Sequence, residues 1–136
     1  MARTVDKFDN FKKAVKRLNE ANSLYKSNSD NDIYQDALIK RFEFTFELAW
    51  KTLREFMLDQ GYQFKIASPK GVLSYAYQES IINDEQLWLE MLEDRNLSTH
   101  DYGREISQSI AERISTRYAK EMQALSKYIA NAIQAL

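Results

Sequence analysis

One short segment of the sequence gathers side chains that can do acid–base and phosphate chemistry. Arg95, His100 and Tyr102 place a guanidinium, an imidazole and a phenol close together in the chain. A neutral imidazole accepts a proton near neutral pH, and a guanidinium holds two phosphoryl oxygens at once. Cleavage of RNA through its own 2′-hydroxyl needs these two functions and no metal ion. The segment therefore predicts a metal-independent ribonuclease site with Arg95 and His100 as its catalytic residues. The missing group is an acid for the leaving 5′-oxygen, unless a symmetry mate provides it.

The same residues also fit a structural interpretation. His100 would then be a capping or hydrogen-bonded surface histidine, and Arg95 would pair with Asp94 or Glu93, its neighbours in the sequence. Tyr102, taken alone, is typical of a side chain that packs against the end of a helical bundle. Residue types by themselves leave both interpretations open.

Whether Arg95 and His100 can act together depends on a break between them. On an unbroken helix their side chains would point about 140° apart. Ser98 or Thr99 is predicted to be the N-cap of the last helix, and Ser98 with Asp101 resembles a capping box. Such a break would let Arg95 fold back towards His100. The imidazole would then lie in the first turn of a helix, where free N–H groups favour a phosphate.

The elements that hold this segment are predicted to be helices. Only 3 Gly and 1 Pro occur in 136 residues, too few for the frequent turns of a β-sandwich or barrel. Apolar side chains instead recur at steps of three and four. We expect an all-α protein with one domain over 1–136, an antiparallel up-down four-helix bundle with one short extra helix. The predicted helices are a first one capped by Thr4, a second over 32–60, a short one capped by Ser68, a fourth capped by Asp84 and a last one through 106–133.

The second predicted helix carries a wide aromatic face. Its apolar stripe runs through Ile33, Ala37, Phe42 and Phe46, and Phe44 lies off that stripe. Phe44 either widens the core face or is buried against a second surface such as a subunit interface. The helix is on the order of 40 Å long, and the second alternative predicts a homodimer formed through the long helices.

The composition argues against several classes of chemistry. With 0 Cys, the sequence offers no disulfide, zinc ribbon, iron–sulfur cluster or thiol nucleophile. Its single histidine, His100, has Leu97 three residues earlier, whereas metal sites in bundles use Glu-x-x-His pairs. Glycine-rich phosphate loops are absent from the sequence. We therefore expect neither a metal nor a cofactor.

The charge balance and the hydropathy of the sequence limit which partners and which cellular location are expected. The sequence has 19 basic and 20 acidic residues and a formal net charge of −1. This balance argues against strong non-specific nucleic-acid binding but leaves room for a local RNA site. No apolar run approaches the ~20 residues of a membrane span, and the first residues lack the apolar core of a signal peptide. We expect a cytoplasmic protein with no membrane partner.

Three blocks of the sequence resemble a known family. They are RFEFTFELAWKTL at 41–53, SPKGV at 68–72 and WLEMLEDRN at 88–96, and they resemble the nucleotidyltransferase substrate-binding protein family of the HEPN superfamily. The resemblance runs from Phe8 to the end of the sequence. Arg95-x4-His100-x-Tyr102 also matches the Arg-x4-His-x-Tyr motif of HEPN toxins that are paired with minimal nucleotidyltransferase antitoxins.

This resemblance implies a HEPN-like fold and a function. The chain would be a HEPN-type partner of a separately encoded minimal nucleotidyltransferase, acting as a ribonuclease toxin that this partner neutralises, and it would form a homodimer in which two Arg95–His100 corners face each other. Tyr102 would accept AMP from that partner, and Asn96 and Asp101 would support the catalytic pair. The alternative is a non-catalytic subunit that binds a nucleotide or another substrate for the transferase. Asp101 departs from the threonine that many family members have at this position, and Gly103 departs from the Asp or Glu that they have after the tyrosine.

Overall fold

The computed structural model describes residues 1–100 and 103–135, and the elements within them are helices. The last three elements follow each other without a gap, so they form one long interrupted rod. This arrangement confirms the predicted all-α class, with four long rods and a short α3. The elements are α1 (Ala2–Ser27), α2 (Asp32–Asp59), α3 (Pro69–Gln78), α4 (Glu85–Ser98), α5 (Arg104–Arg113), a π turn (Ile114–Tyr118) and α6 (Ala119–Gln134).

Contacts between the rods show that they run up and down in alternation. In each case the early part of one rod meets the late part of another, so each long rod is antiparallel to the next one in the chain, and the α5–α6 rod is antiparallel to α1. The short α3 lies between α2 and α4 in the chain. The contacts that fix these directions join Thr4 to Asp59, Tyr25 to Glu112, Glu43 to Ser98 and Glu121 to Trp88.

Aromatic side chains fill the centre of the bundle. Phe42, Trp88 and Tyr118 are fully buried. The Phe42 ring stacks on Tyr118 with 5.4 Å between centroids, and Phe46 packs against Trp88 at 6.3 Å. Burying a side chain of this size contributes about 1.5–3 kcal/mol. This layer therefore joins α2, α4 and the π turn.

Three of the helix starts test the predicted caps. Ser68 accepts a hydrogen bond from the backbone of Gly71 at 3.1 Å, and Asp84 accepts one from Leu87 at 3.0 Å, so both of these caps are confirmed. Thr4 is not a cap, because α1 already begins at Ala2. The buried Thr4 hydroxyl instead donates to the Asp59 carboxylate at 2.6 Å.

The predicted N-cap at Ser98 or Thr99 is wrong. The Ser98 hydroxyl shares its one proton between the Glu43 carboxylate at 2.6 Å and the Arg95 carbonyl at 3.0 Å, and the Thr99 hydroxyl donates to the Asn96 carbonyl at 2.8 Å. Both hydroxyls thus bond back into α4 and do not accept from a following helix. The next helix begins only at Arg104, after Gly103 in a left-handed conformation with φ +91°. Asp101, the predicted capping-box partner, lies outside the described residues.

In the first turns of α2, the buried side of the helix is not the side that carries the predicted apolar stripe. Ile33 is 73% exposed and Ala37 is also exposed, whereas Leu38 and Ile39 are buried. Phe44 is 59% exposed, so the alternative that it widens the core is wrong. None of the helices in the described part of the chain is long and apolar enough to span a bilayer.

Candidate functional site

Arg95 lies near the end of α4 and its guanidinium faces α2. It forms an ion pair with the Glu47 carboxylate and also donates to the side-chain oxygen of Asn96 at 3.1 Å. About a quarter of the Arg95 side chain is exposed (25%). The structural interpretation from the sequence named Asp94 or Glu93 as its partner, but the partner comes from another helix.

Glu47 receives hydrogen bonds from more than one side. Trp50 Nε1 donates to it at 3.2 Å, and Lys51 Nζ lies 3.2 Å from its other carboxylate oxygen. Partial burial alone would raise the pKa of Glu47, but the hydrogen bonds from Trp50 and Lys51 and the charges of Lys51 and Arg95 together lower it. Glu47 is therefore ionised at neutral pH and offsets the charge of Arg95.

Glu43 makes a second link between α2 and the end of α4. It lies one turn before Glu47 and accepts a hydrogen bond from the Ser98 hydroxyl at 2.6 Å. Neither Glu43 nor Glu47 was predicted from the sequence as a site residue. The available signal was a pair of glutamates four residues apart beside the aromatic stripe of α2, which places both on one side of the helix.

His100 follows the last turn of α4. Its backbone N–H donates to the Leu97 carbonyl at 3.1 Å, and the residue is exposed. Since α5 begins at Arg104, the expectation that His100 stands in the first turn of the last helix is wrong. His100 instead lies at the C-terminal end of α4, as Arg95 and Asn96 do. Tyr102 and its predicted role lie outside the described residues.

A buried polar cluster lies on the other side of α4. Asp94 is 5% exposed and accepts hydrogen bonds from Arg113 at 2.7 and 2.9 Å. The Tyr118 hydroxyl also donates to Asp94, and it lies 2.9 Å from Glu90. Hydrogen bonding to Asp94 raises the pKa of Arg113. Burial, followed by the neighbouring Asp94, raises the pKa of Tyr118. Sequence analysis missed this cluster, because its members come from separate helices.

These contacts define what the end of α4 can do chemically. A guanidinium that already binds a carboxylate has the geometry to bind the oxygens of a phosphate instead. The His100 imidazole, a few residues away, adds a side chain that can take part in proton transfer. Among the described residues, no group of three or more His, Asp or Glu side chains could hold a metal ion.

Comparisons with known proteins place the chain in a structural context. The fold is similar to a crystallised mutant of the toxin–antitoxin pair MntA–HpeT, with 16% identity and a TM-score of 0.76 over 96% of this chain and 99% of that one. It is similar at 15% identity to a tri-AMPylated Shewanella oneidensis HEPN toxin in complex with MNT antitoxin, with a TM-score of 0.76 over 96% and 98% of the two chains. A protein from Thermus thermophilus matches at 27% identity, with a TM-score of 0.62 over 85% and 97%.

Sequence comparison adds the family. No curated protein sequence matches the chain. The family model described as "nucleotidyltransferase substrate binding protein like" matches residues 6–131, which is nearly the full length. The chain therefore belongs to the nucleotidyltransferase substrate-binding protein-like family, and it has the fold of HEPN toxins.

Proposed function

We propose that the chain is a HEPN-type toxin subunit that pairs with a separately encoded minimal nucleotidyltransferase and cleaves RNA without a metal ion. One observation carries the proposal: Arg95 and His100 share the C-terminal end of α4 in a chain of this family with this fold. The similar solved structures include a HEPN toxin in complex with MNT antitoxin, which supports the choice of partner.

The proposed reaction uses two side chains of this chain. Neutral His100 accepts the proton of the RNA 2′-hydroxyl, and the 2′-oxygen attacks the adjacent phosphorus. The bond from phosphorus to the 5′-oxygen then breaks, which leaves a cyclic phosphate and a free 5′-hydroxyl. Arg95 stabilises the charge on the phosphoryl oxygens. For this step its guanidinium exchanges the Glu47 carboxylate for phosphate.

The leaving 5′-oxygen needs a proton that the Arg95–His100 pair of one chain does not supply. We propose that the protonated imidazole of His100 in a second copy supplies it, in a homodimer whose two Arg95–His100 corners face each other. The exposed side of α2 supports such an assembly, because it carries the exposed side chains of Ile33, Ala37 and Phe44. An apolar stripe along a long helix is typical of a surface that packs against another helix.

The first experiment tests cleavage and metal dependence. Purified protein is incubated with total RNA, with and without EDTA, beside His100→Ala and Arg95→Ala variants. We expect cleavage that survives EDTA and falls at least about 100-fold in both variants. Wild-type cleavage no greater than that of His100→Ala would rule out the ribonuclease proposal.

Tyr102 is proposed as the site of regulation by the partner. Its phenol oxygen would attack the α-phosphorus of ATP, forming a phosphodiester to AMP and releasing pyrophosphate, with the phenol proton passing to solvent. The modification would add negative charge two residues after His100 in the sequence, and this charge would repel RNA phosphate. Co-expression with the proposed partner nucleotidyltransferase should add the mass of AMP to a peptide containing Tyr102, and Tyr102→Phe should abolish the addition. Added mass that persists in Tyr102→Phe would exclude this site.

A second candidate function is a non-catalytic subunit that presents a nucleotide or another substrate to the transferase. The ion pair between Arg95 and Glu47 favours it, because the guanidinium charge is already offset. This candidate predicts nucleotide binding by calorimetry together with no RNA cleavage. The cleavage and calorimetry assays together therefore separate the two functions.

A further inference from the structure

The last helical rod changes its hydrogen-bond register where it passes α4. The backbone N–H of Ala119 donates to the Ile114 carbonyl, which is the i→i+5 bond of a π turn. In a regular α-helix, residues five positions apart point about 140° away from each other. The wider π turn brings such residues to one side of the rod, so Arg113 and Tyr118 can reach the same partner.

That partner is the buried carboxylate of Asp94. Arg113 donates to its two oxygens at 2.7 and 2.9 Å, and the Tyr118 hydroxyl donates to it as well. Tyr118 is fully buried, and its ring is held by stacking on Phe42 at 5.4 Å. A buried carboxylate that accepts hydrogen bonds from three fixed donors is held in one position and one orientation. These contacts therefore set the rotation of α4 about its own axis.

Asp94 and Arg95 are consecutive residues that leave α4 about 100° apart. Asp94 faces the α5–α6 rod, whereas Arg95 faces Glu47 on α2. A rotation of α4 that loosens the Asp94 contacts would also carry the Arg95 guanidinium away from its position beside α2. The buried side of α4 is thus mechanically coupled to the side that carries the arginine.

We infer that Asp94, Arg113 and Tyr118 form a positioning cluster, aligned by the π turn, that sets where Arg95 presents its guanidinium. The cluster does not touch RNA and acts only through Arg95. Its effect on cleavage rests on the proposed function, whereas the placement of Arg95 can be measured without RNA.

The test uses Tyr118→Phe, which removes one hydroxyl and keeps the buried ring. The first readout is the Nε–Hε resonance of Arg95 in a ¹⁵N spectrum, identified by its loss in Arg95→Lys. We expect this resonance to shift and to exchange faster with water in Tyr118→Phe. The second readout is RNA cleavage, for which we expect kcat to fall about 10- to 100-fold with a smaller change in KM.

Tyr25→Phe is the matched control. It also removes a buried phenol hydroxyl that contacts a carboxylate of the α5–α6 rod, Glu112 at 3.1 Å, but on the side of the bundle that faces α1. This variant should leave the Arg95 resonance and the cleavage rate as in wild type. Arg113→Lys provides a second test variant, because lysine keeps the charge but cannot make the paired hydrogen bonds.

The outcomes separate the two proposals. A changed Arg95 resonance in Tyr118→Phe or Arg113→Lys, with Tyr25→Phe unchanged, supports the positioning cluster even if wild type cleaves no RNA. An unchanged Arg95 resonance in both test variants overturns it. Equal changes in Tyr25→Phe also overturn it, because the effect would then be a general loss of stability. Absence of cleavage by wild type counts only against the proposed function.

Discussion

Asp94 and Arg95 are consecutive in α4 and place opposite charges on different sides of the helix. Asp94 is buried against Arg113, and Arg95 pairs with the partly exposed Glu47. A phosphate that binds Arg95 must therefore compete with a carboxylate that is already in place. This competition makes Glu47 the residue that decides how strongly the arginine can bind an anion.

The lowered pKa of Glu47 predicts how stability changes with pH. A carboxyl group whose pKa is lower in the folded state stabilises the fold above its unfolded pKa of about 4.3, and this contribution is lost as the pH falls through the folded pKa. Wild type should therefore be more stable than Glu47→Gln at pH 7, and the difference should shrink towards about pH 3. Urea unfolding at both pH values measures the difference.

Glu20→Gln is the control for this prediction. Glu20 also lies near an arginine, with Arg41 Nη1 at 3.8 Å, but its side chain is 57% exposed. Exposed ion pairs contribute about 0–1 kcal/mol, so its substitution should show little dependence on pH. A Glu47→Gln difference that stays constant between the two pH values would contradict the interpretation of Glu47 as an ionised partner of Arg95.

The sequence identifies Arg95 and His100 as candidates but does not identify the partner of Arg95. Glu47 lies far from Arg95 in the chain, and only the packing of α4 on α2 brings them together. Asp94 and Glu93 were named as partners only because they are adjacent in the sequence, although residues one and two positions apart on a helix do not face each other. The Asp94 cluster was missed because its members also come from separate helices.

Some helix boundaries were predicted correctly from the sequence, and others were not. Ser68 before a proline and Asp84 before an apolar stretch are confirmed as caps. The prediction of an N-cap at Ser98 or Thr99 was wrong, because a hydroxyl can donate a hydrogen bond as well as accept one. Both of them donate to carbonyls of the preceding turn, a choice that the residue type does not reveal. The π turn was likewise not predicted from the sequence.

Gly71 in the first turn of α3 is required by a close approach of the backbone. A Cβ atom there would lie 2.2 Å from the Ile66 carbonyl oxygen, so Gly71→Ala must displace the segment that joins α2 to α3. We expect a loss of about 1–3 kcal/mol in the free energy of unfolding, although alanine is the better helix former by about 1 kcal/mol. Denaturant unfolding measures the change.

Lys70→Ala provides the comparison within the same turn. Lys70 is exposed and one residue earlier in α3, so its substitution should change the free energy of unfolding by no more than about 0.5 kcal/mol. If Gly71→Ala were as stable as Lys70→Ala, the close approach to Ile66 would not constrain this position.

The assembled bundle leaves one apolar stripe uncovered. Ile33 and Phe44 lie on the same side of α2 and are 73% and 59% exposed. The fold class was predictable because amphipathic spacing and scarce turn residues describe the chain as a whole. The exposure of this stripe could not be predicted, because the spacing of apolar residues is the same in a wide core face and in a face that contacts a second molecule.

Phe44→Arg tests whether this stripe is a subunit interface. A charged side chain there would have to be buried between two copies, at a large desolvation cost. We expect wild type to be a dimer at tens of micromolar and Phe44→Arg to be a monomer by light scattering. Ile66→Arg is the control, because Ile66 is 64% exposed but lies outside the stripe. A monomeric wild type, or equal dissociation in Ile66→Arg, would contradict the interface.

Both ends of the described chain lie at one end of the bundle. The Met1 amino group is 3.9 Å from Asp59, the last residue of α2, and α6 runs antiparallel to α1 and so finishes near the same place. Glu43, which binds Ser98 near His100, is about 24 Å away along α2. A fluorescent protein or affinity tag fused to either terminus would therefore stand clear of the Arg95–His100 corner. The same closeness of the ends favours a circular permutant in which a short linker joins them and the 28–31 turn is opened.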